Sequence, residues 1–339
     1  MMPTLLPVIL MIGALAGALP AAAQSGPRTA NGRLDLSGVW SNASLTWLER
    51  PAIFKGPTLP EAEARARAAA DPLKLAAVRD ARPMDPNAGP PPASDGALGA
   101  AHSAVFLDAG DSFARIKGEY RTSWIVEPSD GKLPLTDVGR RSSRASAIMR
   151  DRQDPDGPEH LAPNDRCLIG SRGSGGPGML NNIYNSNYRL LLTPDALVVI
   201  VEMGFGVRAI PILKTRAEAQ AAHGPAALHP WMGDSTAWWE GDTLVVETIN
   251  VHPTQGNFGP IFLSEKGRVT ERLTRISSKE IAYDFVVEDP VFYTQTWKAE
   301  MVMSTLPGDI YEYACHEGNY AIAGILGGAR ATEGKAAGQ

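Results

Sequence analysis

From residue 180 onward the chain alternates apolar and polar side chains with a period of two, and this limits the fold more than any other feature. In 268–290, Ile281, Tyr283, Phe285 and Val287 fall on one side, with Ala282, Asp284 and Glu288 opposite. In 295–303, Trp297, Ala299, Met301 and Met303 oppose Lys298 and Glu300. Segment 188–203 predicts a hairpin around Pro194-Asp195, apolar on both faces and so covered on both sides. Segment 242–251 predicts the next strand, 268–290 a hairpin turning near Ser277-Ser278-Lys279, and 309–317 the last strand. Helix-length patterns are scarce here. The expected fold is therefore mostly β, an antiparallel meander curling into a lipocalin-like barrel, with a β-sandwich as the alternative.

The N-terminal half reads differently. Residues 32–42 predict a strand entered through Gly38, and Gly38-Val39-Trp40 has the G-x-W form with which lipocalin-like (calycin) first strands begin. Segment 59–81 is rich in Ala, Glu and Arg and predicts a surface helix broken at Pro72. Segment 82–100 reads as an exposed Pro/Gly/Ala loop, 119–134 as a strand closed by Pro and Asp-Gly turn signals, and 150–167 as irregular. Residues 45–118 thus form a helical and irregular insertion in one β-rich domain spanning 24–339.

Residues 2–19 are an apolar run ended by PAAAQ, with small residues at Ala21 and Ala23 in an A-x-A-type arrangement. This predicts a signal peptide over 1–23, although the n-region carries no Lys or Arg. The apolar core is shorter than the roughly 20 residues needed to span a bilayer, so no membrane insertion is expected after cleavage. The implied location is periplasmic or secreted. In such an oxidising compartment Cys167 and Cys315 are expected to form a structural disulfide, worth roughly 2–4 kcal/mol. A free thiol or a metal pair is the alternative. The net charge of −5, with both signs interspersed, leaves no basic footprint for nucleic acid.

The common chemical motifs are missing. Ser174 lies in RGSGG, which lacks the spacing of a nucleophile elbow, and the glycine run 170–178 lacks the Lys-Ser/Thr end of a P-loop. No zinc spacing is present, so neither metal nor cofactor is expected. What remains is a set of carboxylates on strand faces that otherwise read apolar. Glu247 shares a face with Val245 and Ile249, and Glu271 with Val269 and Leu273, while Glu202 and Asp289 sit at strand ends. A buried carboxylate is either paired or held for acid/base work. His229 lies in a loop near Trp231, Trp238 and Trp239, His316 follows Cys315, and His252 closes the 242–251 strand. Asp234 precedes Ser235-Thr236 in an Asx-turn arrangement, and Asp242 reads as turn chemistry.

The segments DLSGVW, RTSWIVEPSDGKLP, GDSTAWWEGDTLVVET, VTERLTRISSKEIAYDFVVEDPVFYTQTW and YEYACHEGNYAIAGIL resemble a family of secreted bacterial β-rich proteins. The similarity runs from about residue 33 to 333, and the WEGDTLVV and ACHEGNY words are specific to the family. It implies a secreted β-rich domain and supplies no activity or catalytic residue. The chain departs from the family at Leu263, before Ser264, where many relatives carry His.

Two functions follow. In the first, a secreted enzyme performs general acid/base chemistry (as a lyase, isomerase or hydrolase) on a small organic or carbohydrate-derived substrate. His229 or His316 would move the proton, assisted by Glu247, Glu271 or Asp234. Arg208 would bind an oxyanion, and Trp231, Trp239, Tyr293 and Trp297 would line the pocket. In the second, a calycin-like protein binds an apolar small molecule without reacting with it. An enzyme needs convergent titratable groups; a binder needs an apolar cavity with few of them. The number of inward carboxylates and histidines favours the first. Oligomeric state is not written in the sequence.

Overall fold

The computed structural model describes residues 26–80, 107–150, 155–170, 174–204 and 206–337. The signal-peptide segment 1–23 and the 82–100 loop lie outside the described residues. The described chain is mostly β, and its main sheet closes on itself.

Before the main run of strands come β1 (Gly38–Ser41), β2 (Thr58–Leu59), α1 (Glu61–Ala69), α2 (Pro72–Asp80), β3 (Arg115–Ile116), β4 (Glu119–Arg121), β5 (Ile125–Glu127) and α3 (Asp137–Arg150). The run itself is β6 (Asn187–Leu192), β7 (Ala196–Val201), β8 (Val207–Leu213), β9 (Asp234–Glu240), β10 (Thr243–Ile249), β11 (Arg268–Arg275), β12 (Glu280–Glu288) and β13 (Trp297–Thr305). These eight strands are hydrogen-bonded in chain order, and β1 joins β6 on one side and β13 on the other. The result is a closed nine-stranded barrel, with β5 added beside the first half of β13. Closure removes the free edges that an open sheet would expose.

The expected meander is interrupted once. β8 and β9 are parallel, with Ile212 opposite Ala237 and Leu213 opposite Trp238. A parallel neighbour needs a crossover, and residues 214–233 supply it through the short helix α4 (Arg216–Ala221). Thr215 caps α4 by accepting the Glu218 amide at 3.2 Å. Ala219 then packs on Trp238 and Val245, which covers the outer face of β9 and β10.

Inside the barrel the alternation holds well. Ile281, Tyr283, Phe285 and Val287 are each 0% exposed, and each contributes on the order of 1.5–3 kcal/mol by leaving water. The β6–β7 hairpin differs from expectation on its outer face. Its inward side chains are buried, but Leu191 remains 44% exposed, because no helix among the described residues crosses over this pair.

The small strands β2, β4 and β3 form a separate sheet. With α1 it encloses a satellite cluster of Leu45, Ala64, Ala68, Ala109 and Phe113. The insertion thus carries its own small core, and its sheet extends to Arg121. The helix expected over 59–81 appears as α1 and α2, divided at Asp71-Pro72.

One end of the barrel is closed by residues 26–35. Arg28 forms a paired salt bridge with Asp242, Arg33 donates to the Gly241 carbonyl at 2.7 Å, and Arg275 donates to the Asp35 carbonyl. The other end is bordered by 168–170, 175–177 and 251–263, the latter including α5 (Pro253–Gly256).

Cys167 and Cys315 form a disulfide with Cα atoms 5.9 Å apart. It does not reach a C-terminal strand as expected, because 309–317 is irregular. Both edges of β13 are already occupied, by β12 on one side and by β1 and β5 on the other, so no ladder remains to be joined. The chain ends in α6 (Ala321–Ala337), for which the sequence offered no amphipathic signal. No helix among the described residues is long and apolar enough to cross a membrane.

Candidate functional site

Three inward-facing strands bring Arg208, Glu271 and Tyr283 together inside the barrel. Arg208 on β8 is 5% exposed and Glu271 on β11 is 1% exposed. The guanidinium meets the carboxylate with both terminal nitrogens, Nη1 donating to Oε1 at 3.0 Å and Nη2 to Oε2. Nη2 also donates to Thr248 Oγ1 at 3.1 Å and Ser235 Oγ at 3.3 Å. Tyr283 Oη donates to Glu271 Oε1 at 2.6 Å and accepts the Met179 amide at 2.8 Å. The Gly178 amide adds a third donor to Oε1, at 3.3 Å.

This network fixes the protonation states. Burial works against ionisation of Glu271, but the Arg208 charge and the hydrogen bonds from Arg208, Tyr283 and Gly178 outweigh it and hold the carboxyl below its usual range. Burial, reinforced by the adjacent carboxylate, pushes the Tyr283 hydroxyl well above the ordinary phenol range. Oε1 is fully engaged by three donors and Oε2 by the Arg208 guanidinium, whose charge keeps the carboxyl ionised and makes it a weak base. Burying an ion pair is costly unless its remaining donors and acceptors are satisfied. Here every polar atom but one is satisfied: Arg208 Nε is buried without a partner.

Directly above this network lies a cavity of about 180 Å³. Its floor is Gly175-Gly176-Pro177, and its walls include Val251, Phe258, Ile261 and Leu263, with Trp231 and Met232 on the crossover side. Gly176 has a left-handed φ of +80°, and a Cβ there would stand 2.7 Å from Arg208 Nη1. Only glycine lets the loop lie so close over the guanidinium. Met232 reaches across from the opposite loop, its Sδ 2.6 Å from where a Cβ on Gly206 would stand. Gln255 clasps the two loops by accepting the Met232 amide at 3.0 Å and donating to the Gly176 carbonyl at 2.9 Å. Trp231 stacks on His252 with ring centres 4.1 Å apart. Among the described residues, no charged side chain lines this cavity.

A second polar cluster lies outside the barrel wall, beneath α4. Glu247 is on the outer face of β10, as are Val245 and Ile249, so it faces away from Glu271 although both read alike in sequence. Its Oε2 accepts from Gln220 Nε2 at 3.2 Å and lies 3.5 Å from Arg268 Nη1. Its Oε1 lies 3.6 Å from His223 Nε2. His223 Nδ1 is 3.2 Å from Asp234 Oδ2, and Asp234 also accepts the Gly224 amide at 2.7 Å. His223 was not anticipated from the sequence: it sits in AAHGPAA, with no motif and no strand pattern to flag it. No group of three or more His, Cys, Asp or Glu among the described residues has metal-binding geometry.

The other candidates are dispersed. His229 is half-buried in the crossover loop, and its Nδ1 is buried without a hydrogen-bond partner. His316 is exposed in the segment after Cys315. Trp239 lies near the closed end of the barrel, with the Arg33 guanidinium 5.5 Å above its ring. Tyr293 and Trp297 belong to the core, edge to face with centres 5.6 Å apart, and Tyr293 Oη accepts the Phe262 amide at 2.8 Å. Glu202 and Asp289 are occupied by local bonds, Glu202 from Asn185 and Asn187 and Asp289 from the Ser264 and Val291 amides. Of the predicted set, Trp231 alone lines the end cavity, and Arg208 and Glu271 support its floor from below.

Fold and site together define a closed β-barrel with an apolar, glycine-floored cavity at one end. No family model, no curated protein and no solved structure matches the chain.

Proposed function

We propose that this is a secreted binding protein for a small, uncharged, largely apolar molecule held in the end cavity, the calycin-like reading of the sequence. The observation that carries it is the lining among the described residues, which is apolar side chains and glycine backbone, with the amide of Gln255 spent on the loop clasp. The groups that acid/base chemistry would need do not converge there. Glu271 is held ionised against Arg208 beneath the floor, Asp234 and Glu247 face α4, His229 shares the crossover loop with Trp231 without lining the cavity, and His316 is exposed after Cys315. The disulfide agrees with an oxidising destination.

The cavity of about 180 Å³ is below the roughly 300–1,000 Å³ of drug-sized sites, and close to the ~150 Å³ that accepts benzene in an engineered core. A single aromatic ring or a short branched hydrocarbon therefore fits. Titration calorimetry with toluene, indole and benzoate tests this. Toluene or indole should bind saturably and benzoate at least about tenfold more weakly, since a carboxylate would be desolvated without a partner. Leu168→Trp, at a half-exposed lining position, should fill the cavity and abolish binding. Equal affinity for benzoate, or binding untouched by Leu168→Trp, would remove the basis for the reading.

A further inference from the structure

A second crevice, of about 300 Å³, lies at the closed end of the barrel, away from the glycine-floored cavity. One lip is the turn at 29–33, in which the Gly32 amide donates to the Thr29 carbonyl and the Thr29 amide to the Arg33 carbonyl, each at 2.9 Å. The second lip is Leu192-Thr193-Pro194, at the turn between β6 and β7. Trp239, the predicted pocket ring that stands outside the end cavity, completes the lining. Leu192, Pro194 and the indole make most of this surface apolar.

Among the described residues, Arg33 is the one charged side chain in this lining. Its Nη1 donates to the Gly241 carbonyl at 2.7 Å, and its guanidinium stands 5.5 Å over the Trp239 ring. Both partners are uncharged. The neighbouring carboxylate of Asp242 is taken by Arg28, through two bonds of 2.8 Å. Asp195 accepts the Thr193 hydroxyl at 2.9 Å and is not part of the lining. Residues 1–25 contain no Asp or Glu, so the adjoining stretch of chain supplies no counter-ion either. Arg33 is thus a cation without an ion-pair partner among the described residues, fixed in place beside an apolar wall. Fixing it beforehand lowers the ordering cost of binding an anion.

The volume sets the size of the ligand's body: at about 180 Å³ the end cavity suits one ring, and about 300 Å³ admits two fused rings. We propose that this crevice binds a bicyclic aromatic carboxylate, its carboxylate on the Arg33 guanidinium and its rings against Leu192, Pro194 and Trp239. With Nη1 given to Gly241, the Nε and Nη2 edge remains for the two carboxylate oxygens. The site lies at the opposite end of the barrel from the apolar-ligand cavity and does not depend on what that cavity holds.

Calorimetry of the full chain with 2-naphthoate tests the proposal. Saturable binding is expected. Its uncharged amide, 2-naphthamide, should bind about tenfold more weakly, the loss that goes with one charge-assisted hydrogen bond. Benzoate should also bind at least about tenfold more weakly, for the apolar area it gives up. Arg33→Gln should erase the discrimination between 2-naphthoate and its amide. Leu168→Trp, which fills the other cavity, should leave the 2-naphthoate affinity unchanged. The proposal is overturned by the absence of saturable heat with 2-naphthoate, by equal affinity for the amide or for benzoate, by discrimination that survives Arg33→Gln, or by loss of binding in Leu168→Trp. The ligand series on the unaltered protein decides the matter even where a variant folds poorly.

Discussion

Replacing Arg208 by Met is the most informative single perturbation, because it leaves the Glu271 carboxyl buried at 1% exposure without its cation. Breaking a buried pair from one side costs about 3–5 kcal/mol, since the remaining charge keeps its desolvation penalty and loses its attraction. Tyr283 and the Gly178 amide still donate to Glu271, so the loss should fall towards the lower end of that range. The pH dependence then separates this cause from simple loss of packing. In the wild type the Glu271 carboxyl is held below its usual range. Its contribution is therefore present above the unfolded-state value and lost as pH falls through the folded one, so acid destabilises the protein through this group. In Arg208→Met the carboxyl is expected above its unfolded value, because burial then dominates. Lowering the pH from about 7 to about 5 should stabilise the variant relative to the wild type. Urea unfolding at both values reads the difference. The double variant Arg208→Met with Glu271→Leu should recover most of the loss, as replacement of a buried pair by apolar side chains often does. A penalty under about 1 kcal/mol, the level of an exposed ion pair, would refute the argument. So would a penalty that does not shrink in acid.

Two further outcomes test the neighbouring contacts. Gly176→Ala places a Cβ 2.7 Å from Arg208 Nη1 at a φ of +80°, and should cost about 1–2 kcal/mol for the left-handed backbone alone, with more from the displaced guanidinium. Denaturant midpoints check this, and a neutral result would mean that the loop can lift off Arg208. His223→Ala removes the group between Asp234 and Glu247 and should lower hydrogen-exchange protection over 214–224 while leaving β11 and β12 unchanged. Uniform loss of protection across the barrel would show instead that the crossover does not open on its own.

Much of the barrel is legible because an inward strand face must be apolar, and period two then appears in the sequence. The inward faces of β12 and β13 follow this rule residue by residue, whereas β11 alternates in burial but carries Glu271 and Arg275 on its buried face. β10 breaks it, because α4 covers its outer face and Leu244, Val245 and Val246 are all buried. That double coverage is why Glu247 and Glu271 look equivalent in sequence yet lie on opposite sides of the wall. The apolar run of β6 and β7 carries the converse lesson: hydrophobic residues on an outer face do not by themselves recruit a cover. Segment 309–317 has the alternation of a strand, but strand formation needs an open partner edge, and pairing elsewhere had removed it.

The sequence by itself determined the local alternation, hence the strands, and the two cysteines that could only pair with one another if they formed a disulfide. These depend on nearest neighbours and on counting. The tertiary structure alone decided that β1 would close the barrel against β13, that β8 and β9 would run parallel, and that His223 would meet two carboxylates. It also placed Arg208 against Glu271 beneath a glycine floor. Each of these is a meeting of residues far apart in the chain, and such meetings are set by register, crossover and closure, which depend on the sum of packing over the whole barrel rather than on any one segment.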